Sequence, residues 1–168
     1  MFTNSERSRL ERIIILLFHF LGFGLLVTLN VAGFILERQY KKAPDLQPKA
    51  VILKAVRPIG LLSPLAALTM LVTGIGNMRI LGYGLLDMGW LTAKIIFFAI
   101  AVISGTTFGI IARKRGTLVQ NMVSGTAPAN AQELLAGYDK QVSMFHIVMP
   151  ILLLTILWIS IYGRLGGQ

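Results

Sequence analysis

The sequence predicts an all-α, polytopic membrane protein in which four transmembrane helices form one antiparallel bundle over residues 1–168. Composition is the first observation: 55% of the residues are hydrophobic and 14% are charged, whereas soluble domains carry about 25% charged residues. The second is the length of four apolar segments, each sufficient to cross a hydrocarbon core of about 30 Å, which takes roughly 20 helical residues. These segments are 13–36, 58–79, 88–112 and 141–163.

Each segment satisfies the requirements of a membrane span. The first, 13–36, has 24 residues without a charge, too long for a signal-peptide core of roughly 7–15 residues, so we expect it to persist as a span. The second is free of charge from 58 to 78. The third contains Lys94 as its one charge, and the fourth contains none. Four such helices leave too little polar surface to coat a soluble fold.

The connections between the spans differ in length. Residues 37–57 are expected to be a cytoplasmic loop with a short helix over 49–56. Residues 113–140 are expected to be a second cytoplasmic loop, irregular over 116–127 and helical as it approaches the fourth span. The short glycine-rich link between the second and third spans predicts an antiparallel helical hairpin.

The positive charges predict the orientation. The side that holds both termini and the short link carries 5 Lys and Arg, and the two long connections carry 10. Because cytoplasmic loops are enriched in these residues, both termini are expected outside and both long connections in the cytoplasm. The net charge of +9 is thus read as an orientation and anionic-lipid signal, and no nucleic-acid partner is expected.

Polar residues inside the spans are the candidate functional positions, because lipid cannot satisfy their hydrogen bonds. His19 and Lys94 each lie about six residues inside the same membrane face, roughly 9 Å deep, and Asn77 ends the second span near that level. We expect the three to converge on one outward-facing pocket with Asp87 and Trp90 at its rim. Alternatively, Lys94 extends to the headgroups and His19 makes only an interhelical hydrogen bond.

The second histidine, His146, approaches from the opposite membrane face and is interpreted as an interfacial residue. We expect it roughly 12–15 Å from His19 along the membrane normal. Two axial ligands of one haem iron cannot be that far apart, so only a single axial histidine stays open. His19 is the candidate metal ligand.

Small residues recur in the third span, and enzyme motifs are absent from the sequence. Ala101, Gly105 and Gly109 repeat every four residues, a pattern that packs helices within a chain or forms a homodimer interface. The sequence has no phosphate-binding glycine loop, no HExxH motif, no cysteine and no acidic residue inside a span. Neither an enzyme nor a carboxylate proton relay is indicated.

Three short motifs resemble those of a loose group of bacterial four-helix membrane proteins. They are Phe18-His19-Phe20-Leu21-Gly22, Val31-Ala32-Gly33 and Gly89-Trp90-Leu91-Thr92-Ala93-Lys94-Ile95. The layout of most of residues 13–162 is similar to that of uncharacterised integral membrane families, the membrane domain of copper-resistance protein D and the small haem-binding protoporphyrinogen oxidases. The resemblance implies a bacterial plasma membrane, with His19 and Lys94 serving haem b and a substrate or anionic group.

The chain departs from the oxidase pattern in three places, so the uncharacterised families are the better match and the oxidase activity is not carried over. The departures are Phe34-Ile35-Leu36-Glu37-Arg38, Phe145-His146-Ile147-Val148-Met149-Pro150, and Ser104-Gly105 where the oxidases have a histidine. The leading hypothesis is a protein that binds haem or another redox ligand near His19, Lys94 and Asn77. The alternatives are a small permease or ion-handling subunit, and a non-catalytic membrane scaffold or interaction protein.

Overall fold

Four long antiparallel helices make up the fold. The computed structural model describes residues 4–85 and 87–166, and no strand occurs among them. The helices are α1 (Asn4–Lys42), α2 (Leu46–Leu81), α3 (Gly89–Ser124) and α4 (Ala131–Arg164). The predicted all-α four-helix bundle is confirmed, and all four helices are long and apolar enough to cross a membrane. Because the four described helices alternate in direction, both ends of the described chain lie at the same end of the bundle.

The turns between the helices are short. Three residues separate α1 from α2. α2 and α3 end at Gly82 and Gly125, whose φ angles of 71° and 75° lie in the left-handed region. Glycine adopts this conformation without the steric penalty of a Cβ atom, so both helices end with their last carbonyls bonded by turn N–H groups.

The helices extend beyond the apolar segments, which corrects the expected connections. The helix predicted over 49–56 is the start of α2, but most of 37–57 is helical as well. The sequence predicts an irregular segment over 116–127, whereas residues 116–124 continue α3. The reason is tertiary packing: Leu118 and Val119 are buried against α4, and this packing overrides the weak helix propensity of the local sequence. α3 therefore projects about 18 Å past the end of its apolar segment.

The helices pack as two hairpins. α1 lies along α2 and α3 lies along α4, and contacts of α2 with α3 and of α1 with α4 close the ring. Over the described residues, α1 and α3 make no close backbone contact. Glycines set the distance between α1 and α2: a Cβ on Gly22 would lie 3.2 Å from Met70, and one on Gly76 would lie 3.2 Å from Ile15. Such close approach is the usual role of small residues between membrane helices.

Two buried apolar clusters lie between α3 and α4, and partly buried side chains of α1 and α2 pack against them. The first, here the span core, consists of Ala101, Met149, Leu152, Leu153 and Ile156. The second cluster lies beyond the apolar segments and consists of Leu118, Val119, Ala131 and Leu135. Many other large apolar side chains are exposed, among them Trp158 at 69%, and such a surface is stable in contact with lipid rather than water.

The small-residue stripe of α3 is largely used inside the chain. Ala101 is 7% exposed within the span core, and a Cβ on Gly105 would lie 3.6 Å from the Met149 methyl group. Gly109 has no atom within 4 Å of that position. Two of the three residues of the expected dimer interface thus pack against α4, and the homodimer stays a prediction that would depend on the surface at Gly109.

Candidate functional site

His19 joins α1 to α2 through Thr73. Its Nδ1 atom lies 2.9 Å from the Thr73 hydroxyl oxygen, and this hydroxyl donates to the Thr69 carbonyl at 2.5 Å. Because a threonine hydroxyl has a single proton, its oxygen must accept from His19. The bond therefore places the imidazole proton on Nδ1 and the lone pair on Nε2. Metal-ligating histidines are held in the same way, with the nitrogen opposite the metal bonded to an outer oxygen.

Lys94 and Asn77 lie at the same end of the bundle as His19. Lys94 is one turn before Phe98 and His19 is one turn before Phe23, and both phenylalanines pack against the span core. Asn77 is one turn beyond Thr73 towards the end of α2. All three candidate side chains are partly buried. The three residues therefore lie at one end of the bundle, and their union in one pocket stays a prediction.

The residues expected at the rim of that pocket belong to the turn between α2 and α3. The Asp87 carboxylate accepts a hydrogen bond of 2.5 Å from the backbone N–H of Gly84. Trp90 packs its ring edge-on against Tyr83, with 6.4 Å between the ring centroids. Both residues therefore order the turn next to the candidate site.

An apolar groove of about 320 Å³ lies beside the His19–Thr73 pair. It is lined by Phe18, Leu68, Thr69, Val72 and Thr73. Three of these side chains, on α1 and α2, are exposed on the surface of the bundle. The groove therefore opens towards lipid and not towards the interior of the bundle.

His146 lies far from His19. Its Cε1 atom would be 3.2 Å from a Cβ on Gly33, and its ring meets those of Phe34, Phe108 and Phe145 edge-on. Gly33 is 14 residues beyond His19 on α1, which is about 21 Å. This separation exceeds the expected one, so the two histidines cannot be axial ligands of one iron.

A buried ion cluster lies just beyond the apolar segments, at the end of the bundle that holds His146. Arg115 of α3 donates to both carboxylate oxygens of Glu37 of α1, at 3.1 and 2.8 Å. It also donates to Asp139 of α4 at 3.2 Å. The guanidinium carbon lies 4.4 Å from the centre of the Tyr40 ring. These four residues, here the Arg115 cluster, tie α1, α3 and α4 together.

The Arg115 cluster is sealed from solvent at its centre. Arg115 is 3% exposed, Glu37 is 6% exposed and Tyr40 is 2% exposed, whereas a third of the Asp139 side chain is accessible. The Arg115 Nε atom is buried without a hydrogen-bond partner among the described residues, and the buried Tyr40 hydroxyl makes at most a weak hydrogen bond, to the Asp139 carboxylate. A buried polar group without a partner costs about 1–3 kcal/mol, so the cluster is tightly paired but not fully satisfied.

Removal of the Tyr40 hydroxyl is therefore expected to have a small effect on stability. Tyr40→Phe keeps the ring beneath the guanidinium and should change the free energy of unfolding by less than about 1 kcal/mol, because at most a weak hydrogen bond is lost. Tyr40→Leu loses the cation–π contact and should be less stable than Tyr40→Phe by about 1–2 kcal/mol. Thermal unfolding in neutral detergent measures both variants. A larger loss in Tyr40→Phe than in Tyr40→Leu would contradict this account of the hydroxyl.

The Arg115 cluster was not predicted from the sequence. Glu37, Arg115 and Asp139 fall in the expected connections, and Arg115 is 78 residues from one partner and 24 from the other, so nothing local indicates that they meet. The sequence did contain one indication of the cluster. The chain has only 7 acidic residues, and two of them, Glu37 and Asp139, flank the first and fourth apolar segments on the side where basic residues dominate. A carboxylate in that position lies near basic residues with which it can pair.

No family model, curated protein or solved structure matches the chain. The resemblance to bacterial four-helix families therefore stays a prediction based on short motifs. The described residues contain no group of three or more His, Cys, Asp or Glu that could hold a metal ion. The four apolar helices identify a small multi-pass membrane protein, and the functional question centres on His19 and the Arg115 cluster.

Proposed function

We propose that this membrane protein holds haem b or a related tetrapyrrole, with His19 as the single axial ligand. The His19–Thr73 hydrogen bond carries the proposal. It fixes the tautomer in which Nε2 has the lone pair that iron requires. A porphyrin supplies the other iron ligands itself, so one protein histidine is enough and a cluster of ligating side chains is not needed.

The surroundings of His19 support an apolar ligand. The groove beside Thr73 has a volume of about 320 Å³ and is open at the surface of the bundle. A tetrapyrrole held there would contact the exposed side chains of Phe18, Leu68 and Val72. Lys94, at the same end of the bundle, is the candidate partner of a propionate, and Asn77 is a further polar contact. Bound haem would supply one-electron chemistry.

The absorption spectrum of the purified protein tests the proposal. After expression with ample haem, the wild type should show a Soret band and His19→Ala should lack it. His146→Ala is the matched control, because it removes the same side chain about 21 Å away, and it should keep the band. Thr73→Ser retains the hydroxyl and should keep the band, whereas Thr73→Val should weaken it.

A colourless wild type, or an undiminished band in His19→Ala, would overturn the proposal. Size-exclusion chromatography of each variant excludes unfolding as the cause of a lost band. A non-catalytic scaffold is the second candidate, in which the Arg115 cluster would fix the arrangement of α1, α3 and α4, as buried polar groups do in some proteins. On that account His19→Ala changes stability alone.

A further inference from the structure

A cleft of about 390 Å³ lies between α3 and α4 on the bundle surface. Its lining combines three apolar residues with the polar residues Arg113, Lys114, Thr117, Asn121 and Tyr138. None of the residues that line the cleft is acidic. The cleft is separate from the His19 site, which lies at the other end of the bundle, so a ligand of the cleft would bind independently of haem.

The depth of the cleft matches the lipid headgroup layer. Arg113 is the first residue after the third apolar segment, and Thr117 is about 6 Å further along α3. Tyr138 precedes the fourth apolar segment by about 5 Å. Since a bilayer of about 40–45 Å has a core of about 30 Å, the headgroup layer extends roughly 5–7 Å on each side. Both cations and the tyrosine therefore lie at the level of lipid phosphates.

The charges of the cleft are available for a ligand. Arg113 and Lys114 are exposed, and no ion pair joins either to a carboxylate in the described parts of the chain. Arg115 differs, because its guanidinium is already bonded to Glu37 and Asp139. The cleft thus offers a guanidinium, an ammonium, a hydroxyl, an amide and a phenol, all of them donors to phosphate oxygens.

We propose that this cleft binds the phosphate of an anionic phospholipid headgroup. Arg113 and Lys114 supply the charge, and Thr117 and Tyr138 supply neutral donors. The adjoining surface favours a lipid over free phosphate: Ile110, one turn before Lys114 on α3, is 52% exposed and offers apolar contact to an acyl chain. Basic pockets beside transmembrane helices bind anionic lipids by this combination of charge and depth.

Native mass spectrometry of the full chain in neutral detergent tests the assignment. The wild type should bind one phosphatidylglycerol in preference to phosphatidylcholine. Arg113→Gln with Lys114→Gln should weaken that binding roughly 30-fold, at about 1 kcal/mol for each cation near the membrane surface. The matched control is Lys54→Gln with Arg57→Gln, which removes two exposed cations from α2 and should weaken binding less than about 3-fold.

Two outcomes would overturn the proposal. Equal losses in the two double variants would show that diffuse surface charge, not the cleft, attracts the lipid. Competition by inorganic phosphate as strong as that by phosphatidylglycerol would show that the site takes a soluble anion. Because Arg113 and Lys114 are exposed, the unfolding midpoint of their double variant without lipid should match that of the wild type, so a lost complex reports binding.

Discussion

Arg115→Met is expected to lower the free energy of unfolding by about 3–5 kcal/mol, the cost of removing one partner from a buried ion pair. Glu37 is 6% exposed, so its carboxylate would stay buried without the two hydrogen bonds that Arg115 donates. The Tyr40 ring would also lose the guanidinium above it. The loss of the bond to Asp139 would cost less free energy, because a third of the Asp139 side chain is accessible to solvent.

Unfolding in neutral detergent, followed by circular dichroism, measures this effect. Arg113→Met is the matched control: it removes an exposed arginine two residues away and should change stability by less than about 0.5 kcal/mol. The double variant Glu37→Met with Arg115→Met should recover much of the loss, since an apolar replacement of a buried pair is often neutral. Equal stabilities of the Arg115 and Arg113 single variants would refute the structural role of the cluster.

Gly22→Leu should destabilise the protein by about 1–3 kcal/mol through overpacking. A Cβ at Gly22 would lie 3.2 Å from Cγ of Met70 and 3.3 Å from Cγ2 of Thr69, and the rest of a leucine side chain has no room there. α1 and α2 must then separate. The His19–Thr73 hydrogen bond, less than one turn away, would lengthen, so the expected Soret band should weaken as well.

Gly24→Leu is the control for this substitution. It makes the same chemical change two residues further on, where a Cβ has no atom within 4 Å. Leucine is a better helix former than glycine, by somewhat less than the roughly 0.8–1 kcal/mol that separates glycine from alanine, so Gly24→Leu should be neutral or stabilising. Thermal unfolding and the absorption spectrum are compared for both variants. If Gly22→Leu behaved like Gly24→Leu, the tight α1–α2 contact would be disproved.

The fold could be predicted because hydropathy alone shows which segments are long and apolar enough to span a membrane. A span needs about 20 apolar residues, and all four segments satisfy this condition without reference to any contact. The extent of the helices was not predictable in the same way. Residues 116–124 are polar enough to suggest a loop, yet they continue α3 and bury Leu118 and Val119 against α4.

The candidate sites also contain features that the sequence predicts and features that depend on tertiary structure. His19 could be found from the sequence, because an ionisable residue within an apolar run is conspicuous by itself. Its partner Thr73 could not be found, since the register between α1 and α2 decides which of several threonines meets the imidazole. The Arg115 cluster also depends on register, and across three helices, so its members looked like separate surface charges.

The division of the bundle into two hairpins has a consequence for biogenesis. Each hairpin has an internal side-chain bond: His19 to Thr73 joins α1 to α2, and Arg115 to Asp139 joins α3 to α4. Each can therefore enter the bilayer and close before the other arrives. The bond from Arg115 to Glu37 crosses between them, and until both are inserted these two charges stand in headgroup water. Glu37 and Arg115 lose their hydration only when the two hairpins meet, and this step completes the assembly. A first hairpin on its own would therefore expose the unpaired Glu37 carboxylate at the membrane surface.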